Sequence, residues 1–205
     1  MKSSPGGFYR TKWGQMQNFD KEENFMNVLR KEKIYTTDYI YALPDGERAE
    51  LIDGKIYYMA PPNTKHQRIS SYLHNEIYNY IKNHHGPCEI FAAPFAVFLN
   101  EDDTNYVEPD ISVTCDPHKI TNQGCHGAPD WVIEIVSPSS RAMDYFTKLF
   151  KYQTAGVREY WIVDPLKERV TIYFFEKENV EEYSFGEDIP VGIYEGFSLK
   201  VQQNS

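Results

Sequence analysis

Trp131-Val132-Ile133-Glu134-Ile135-Val136-Ser137-Pro138-Ser139-Ser140 is the stretch that decides the fold. Its first part is a short, almost wholly apolar run closed by a Ser/Pro break, the mark of a central strand buried on both faces. The serines end the strand and offer hydroxyl caps for a helix to about Ala155, which Gly156 stops. Tyr160 to Val163 repeats the buried-strand pattern, and Asp164-Pro165 turns into a strand over 169–175. From 178 onward the chain reads as edge strands. A β-α-β unit of this kind predicts an α/β fold, a mixed central β-sheet flanked by helices.

Working outward from that unit, a helix is predicted from Thr36-Thr37-Asp38 to Pro44-Asp45-Gly46. Glu50-Leu51-Ile52 and Lys55 to Met59 flank Asp53-Gly54, a pair suited to a tight hairpin turn. Thr64 to Asn83 carries Ile69, Leu73, Ile77, Tyr80 and Ile81 at helical spacing and predicts the longest helix. Residues 88–99 and 106–114 read as two strands joined through an acidic turn, Asn100-Glu101-Asp102-Asp103. Residues 1–33 mix Gly, Ser, Asn and charged side chains, with a short helix drawn over Lys21–Lys33; they are set apart as an appendage to a domain over 34–205.

A chain of 205 residues with 41% hydrophobic and 15% aromatic content suits one globular domain with a real core. It has no apolar run long enough to span a membrane, and Met1 to Gln15 lacks the apolar core of a signal peptide. Three cysteines, Cys88, Cys115 and Cys125, point to a reducing, cytoplasmic setting rather than a disulfide framework. The net charge of −9 argues against tight metal-free binding of nucleic acid, whose affinity rests on phosphate contacts. A bound divalent cation or a local basic patch can still supply positive potential.

Glu134 is the informative residue. An unpaired ionised carboxylate inside a buried strand costs several kcal/mol or more in effective terms, so a metal, a base or a raised pKa must neutralise it. The bland alternative is a structural salt bridge to a buried Lys or Arg. In Val107-Glu108-Pro109-Asp110-Ile111, Asp110 sits just inside another strand, with Pro109 tolerated at its start. If the two strands are neighbours, Asp110 and Glu134 converge, and a hard cation taking oxygen ligands resolves their repulsion. Lys148 lies on the next helix, where Arg141, Asp144, Lys148 and Tyr152 share a face. Taken alone, Asp144 and Lys148 read as an exposed i,i+4 pair of small value.

Cys115, His118, Cys125 and His126 invite a zinc reading, but their spacing lacks two well-separated ligand pairs. No nucleophile-elbow pattern surrounds Ser137, Ser139 or Ser140, so capping explains them better than serine catalysis.

Glu50-Leu51-Ile52-Asp53-Gly54, Pro109-Asp110, Glu134 through Ser139, Asp144 through Lys148 to Tyr152, Gly156-Val157, Glu159-Tyr160-Trp161 and Asp164-Pro165, in that order and spacing, resemble the Uma-type family of restriction endonucleases. That family lies within the PD-(D/E)XK nuclease superfamily, and the resemblance spans roughly residues 34–200. It implies a restriction-endonuclease-like core acting on DNA with Mg²⁺, for which Mn²⁺ can substitute. It casts Asp110 and Glu134 as metal ligands and Glu50 as an additional acid, binding metal directly or through water. The superfamily's usual Lys stands two residues after the second acid, where this chain has Val136; the resemblance implies a variant with the Lys moved to the helix, as Lys148. His66 and Tyr152 are auxiliary candidates. Such cores often pair, so a homodimer is expected. The alternative is a non-catalytic nucleic-acid-binding or protein-interaction module on the same fold.

Overall fold

A computed structural model describes residues 33–100 and 102–202. The appendage drawn over 1–33, with its helix at Lys21–Lys33, falls almost wholly outside the described residues. In chain order the elements are α1 (Thr37–Tyr41), β1 (Ala49–Ile52), β2 (Lys55–Tyr58), α2 (Thr64–His84), β3 (Glu89–Ala92), β4 (Val97–Phe98), β5 (Tyr106–Val107) and β6 (Ile111–Thr114). They continue with β7 (Ile120–Thr121), β8 (Gly124–His126), β9 (Trp131–Ile135), a π-helical segment Met143–Lys148, α3 (Leu149–Ala155), β10 (Glu159–Asp164), β11 (Arg169–Phe174), β12 (Asn179–Ser184), β13 (Ile189–Pro190) and β14 (Ser198–Leu199).

The mixed α/β class predicted from the β-α-β unit is the class observed. Its sheet runs β12-β11-β10-β9-β6-β3, with β10 parallel to β9 and Ile162 opposite Glu134. Side chains alternate along β9 and so serve two cores. Trp131, Ile133 and Ile135 pack with Trp161 and with Ile69, Leu73 and Ile77 of α2. Each of those three α2 side chains is fully buried, worth about 1.5–3 kcal/mol apiece. Val132 and Val136 point the other way, onto Ile52, Val97, Leu99, Val107 and Tyr152.

That second face is covered by a further sheet, β2-β1-β5-β4-β8-β7, where the sequence predicted a meander feeding one sheet. The two predicted strands 88–99 and 106–114 are each divided between the sheets. β3 pairs with β6 in the first, while β4 and β5 pair in the second. Pro94 and Pro109 stand at the two breaks, where a missing N–H interrupts the hydrogen-bond ladder. Asp110 therefore sits where the chain passes from one sheet to the other. The β1–β2 hairpin turns on Asp53 and Gly54, both at positive φ. A Cβ on Gly54 would lie 2.4 Å from a side-chain carbon of Ile34.

The helix predicted after Ser137–Ser140 forms, but its first part winds as a π-helix before tightening into α3, and Gly156 closes it in the left-handed region. The reading of the cysteines needs correcting. Cys88 and Cys115 are joined by a disulfide, and Cys125 is free and buried. The bond extends the β3–β6 register one pair beyond Glu89 and Thr114, so antiparallel pairing, invisible in cysteine spacing, brings the two thiols together. Among the described residues, no helix is long and apolar enough to cross a membrane.

Candidate active site

The parallel alignment of β9 with β10 and the helical return between them leave a crevice at the carboxyl end of β9, the usual place for a site in α/β folds. A cleft of about 930 Å³ opens there. Glu134, next to last in β9, faces it from the floor and is only 4% exposed. Its Oε1 accepts hydrogen bonds from Lys148 Nζ at 2.9 Å and Tyr152 OH at 2.6 Å. Lys148 Nζ also donates to Glu50 Oε1 at 2.8 Å and stands 3.9 Å from Asp144 Oδ1. Glu50 is fixed in turn by the Glu108 backbone N–H at 3.0 Å.

Asp110 joins this group from the sheet crossing. Its Oδ2 accepts the Ile135 N–H at 2.7 Å and faces His66 Nε2 at 3.1 Å. His66 is placed by its helix start, where Asn63 Oδ1 accepts the His66 N–H at 3.0 Å. The ring's Nδ1 is buried with no hydrogen-bond partner. Asp110, Glu134, Lys148, Glu50, His66 and Tyr152 are thus brought together around one floor.

Arg141 is not with them. It pairs with the buried Asp164 at 2.8 Å, at the end of β10. The shared face drawn for Arg141, Asp144, Lys148 and Tyr152 assumed one regular helix. The winding is π between Met143 and Lys148, and Asp144, Lys148 and Tyr152 all face inward. Asp144 is accordingly 2% exposed, not half of a solvated surface pair. Two further members, Glu108 and Arg48, are not singled out by the sequence pattern. Arg48 Nε donates to Glu108 Oε2 at 2.8 Å, and Tyr106 OH donates to Glu108 Oε1 at 2.7 Å, across the mouth of the same cleft. A Glu directly before Pro109, two residues ahead of Asp110, was the available signal.

Electrostatics are set by burial and crowding. Desolvation raises Glu134 well above the ordinary carboxylate range; Lys148 opposes that rise, while Asp110, Asp144 and Glu50 add to it. Asp144 is pushed up to about 6, chiefly by burial. Burial alone would lower Lys148, but Glu134, Glu50 and Asp144 outweigh it and hold the ammonium charged. Several carboxylates around one cation form an arrangement that favours keeping a proton or acquiring a further positive charge.

The hydrogen bonds at Glu134 and Asp110 use Oε1 and Oδ2, so one hard oxygen of each stands outside them. Among the described residues, no three His, Cys, Asp or Glu side chains form a ready-made ion cage. A cation held by two carboxylates and otherwise by water or phosphate oxygens is the habit of Mg²⁺.

Residues 36–202 match the family model Uma2, described as a putative restriction endonuclease. An uncharacterised protein of Synechocystis is 30% identical over 128 residues, which are 62% of this chain and 66%, just under two thirds, of that relative's length. The crystal structure of a putative nuclease from Anabaena variabilis superposes with a TM-score of 0.67 at 24% identity, covering 82% of this chain and 96% of that one. This last likeness is one of fold.

Proposed function

Because the chain belongs to the Uma2 family, described as a putative restriction endonuclease, we propose that it is a divalent-metal-dependent nuclease hydrolysing DNA phosphodiester bonds at the Asp110–Glu134–Lys148 cluster. One observation carries the reading: a buried lysine bridges Glu134 and Glu50 at the floor of a cleft into which Asp110 also projects. Asp110 and Glu134 would hold Mg²⁺, or Mn²⁺ in its place, with Glu50 reaching it directly or through water. Such an ion polarises a phosphate and supplies water of lowered pKa.

The remaining work falls to the chain's own groups. The Ile135 N–H and His66 fix the Asp110 carboxylate, and the Tyr152 hydroxyl fixes Glu134. Lys148 is held between Glu134 and Glu50 at the floor. From there its ammonium would orient a nucleophilic water or offset charge developing on a phosphoryl oxygen, as preorganised cations do. Burial keeps this lysine ordered and water-poor, where its charge acts through a lower dielectric.

The test incubates circular single-stranded and duplex DNA with the protein and Mg²⁺, then repeats it with Asp110→Asn and Glu134→Gln. Strand breaks that require both carboxylates support the proposal; breaks that persist in either variant remove the cluster from the chemistry. A second reading, a non-catalytic module, draws on the same geometry, because Lys148 already balances Glu134 and Glu50 as a purely structural ion network would. Calorimetric titration separates the two, since only the nuclease reading requires Mg²⁺ uptake that Asp110→Asn abolishes.

A further inference from the structure

Polynucleotides are gripped chiefly by Lys and Arg on their phosphates, and the cleft has few of these to give. Among the described residues, five carboxylates line it against one lysine and one arginine. Lys148 is shared among Glu134, Glu50 and Asp144, and Arg48 is tied to Glu108. A nuclease working in this cleft needs its hold on the strand from somewhere beside it.

The turn between β10 and β11 offers one. Because β9 and β10 are parallel, their carboxyl ends open on the same edge of the sheet, and Glu134 stands opposite Ile162. Asp164, two residues beyond Ile162, faces the same side as Glu134, with their backbones on the order of 8 Å apart by strand spacing. Arg141 directly follows Ser137–Ser140, which line the cleft, and holds Asp164 through both terminal nitrogens, at 2.8 and 3.2 Å. The Tyr145 ring lies under two cations, with the Arg141 guanidinium 6.0 Å and the Lys167 ammonium 5.3 Å from its centre. Lys65, next to His66 in the first turn of α2, donates from Nζ to the Pro165 carbonyl at 2.9 Å.

Three cations are thus fastened around one turn. The turn itself is set by Asp164, which is fully buried and also accepts the Leu166 and Lys167 backbone N–H groups. Lys65 and Lys167 are held by neutral partners, a carbonyl and a ring face, so their charge is positioned without being cancelled. The other acid of the turn is Glu168. In a chain of net charge −9, a basic cluster at the lip of the cleft is where a polyanion is drawn.

We propose that Lys65, Arg141 and Lys167 form a docking ridge for phosphates flanking the one at the Glu134–Lys148 floor, so that the polynucleotide leaves the cleft over the β10–β11 turn. Contacts of this kind fix the strand's position without reading its sequence. The proposal rests on the nuclease reading above and gives its substrate a path.

Fluorescence anisotropy of the full chain in Mg²⁺ tests it, using a labelled DNA duplex with phosphorothioate linkages, which resist cutting and keep their charge. Lys65→Ala/Lys167→Ala removes the two uncancelled charges and leaves the Arg141–Asp164 pair in place. Affinity should fall about tenfold or more at about 0.1 M salt, and the slope of log affinity against log salt should become shallower by about two. Lys65→Arg/Lys167→Arg should keep both. On unmodified DNA the alanine pair should raise KM and leave kcat unchanged, whereas a loss confined to kcat counts against a docking role. Lys82→Ala/Lys177→Ala makes the same charge change elsewhere, in the last turn of α2 and past the end of β11 that lies beside the start of β10. An unchanged slope in the Lys65/Lys167 alanine pair, or an equal loss in this control, overturns the ridge. Calorimetric Mg²⁺ uptake by the parent is a separate reading: its absence overturns the nuclease proposal, while the salt slope still decides the ridge.

Discussion

Two glutamates are buried on adjacent strands of the same sheet, and they live in opposite worlds. Glu159, on β10, accepts the Trp161 indole N–H at 2.6 Å and the Ile193 backbone N–H at 2.9 Å, both neutral donors. Glu134, on β9, faces the opposite side of the sheet and is met by an ammonium, a phenol and three further acids. Burial raises both carboxyls. At Glu159 every neighbouring influence after burial lowers the pKa, whereas at Glu134 three neighbouring carboxylates push it further up. Burial of an acid is therefore no sign of function by itself. The two differ in the company of like charges beside an open cleft, an arrangement that costs stability and is kept where chemistry needs it.

The comparison can be broken first at Lys148. Lys148→Met leaves Glu134 and Glu50 without their cation, and the expected loss is about 3–5 kcal/mol at neutral pH, read by chemical denaturation. Without the ammonium the carboxyls ionise less readily, so the deficit should shrink as pH falls and they take up protons. An unchanged midpoint at pH 7 would mean that the carboxylates need no counter-ion.

Asp144 tests the crowding itself. Its pKa rises from 3.8 to about 6 on folding, so the folded state prefers the protonated form. Its ionisation erodes stability as pH climbs from about 4 through about 6. Asp144→Asn should remove that slope and gain on the order of 3 kcal/mol relative to the parent above pH 7. A parent whose stability is flat over this interval would contradict the crowded-acid picture.

A smaller effect is expected at Tyr152→Phe, which removes one charged hydrogen bond from Glu134 and should cost about 1.5–3 kcal/mol. Nuclease turnover should fall with it, since the carboxylate loses a support. Smallest is Glu159→Gln. One of its two donors would then meet an amide N–H₂, for a loss of about 1 kcal/mol, and DNA cleavage should be unchanged. A cleavage defect there would erase the distinction between the two glutamates.

Much of this was legible in the chain. Glu134 stood out because a single charge interrupts an apolar run, and Asp110 because it succeeds the proline of a neighbouring strand. The long helix, the hairpin and the β-α-β unit were set by local period and turn chemistry. Contacts fixed only by long-range pairing stayed hidden. Arg48 meets Glu108 across 60 residues, and Cys88 meets Cys115 through strand register. Two prolines divide apparently continuous strands between sheets, so one predicted sheet became two. Spacing alone made Asp144 and Lys148 a surface pair; which face of their helix is covered is decided by tertiary packing, not by local period.

That winding bears on which genetic changes the protein can absorb. A π-helical stretch accommodates more residues per turn than an α-helix. Loss of one amino acid between Met143 and Lys148 would let the backbone relax to ordinary α pitch with the downstream turns facing as before, because five residues at α pitch turn through about the same angle as six at the wider one. Lys148 would stay turned toward the acids, drawn back mainly along the axis. Substitution at Phe146, whose ring is 74% exposed in the same stretch, should be borne easily. This segment has one residue of slack in length that α3 lacks, where an in-frame codon deletion would rotate everything downstream by roughly 100°.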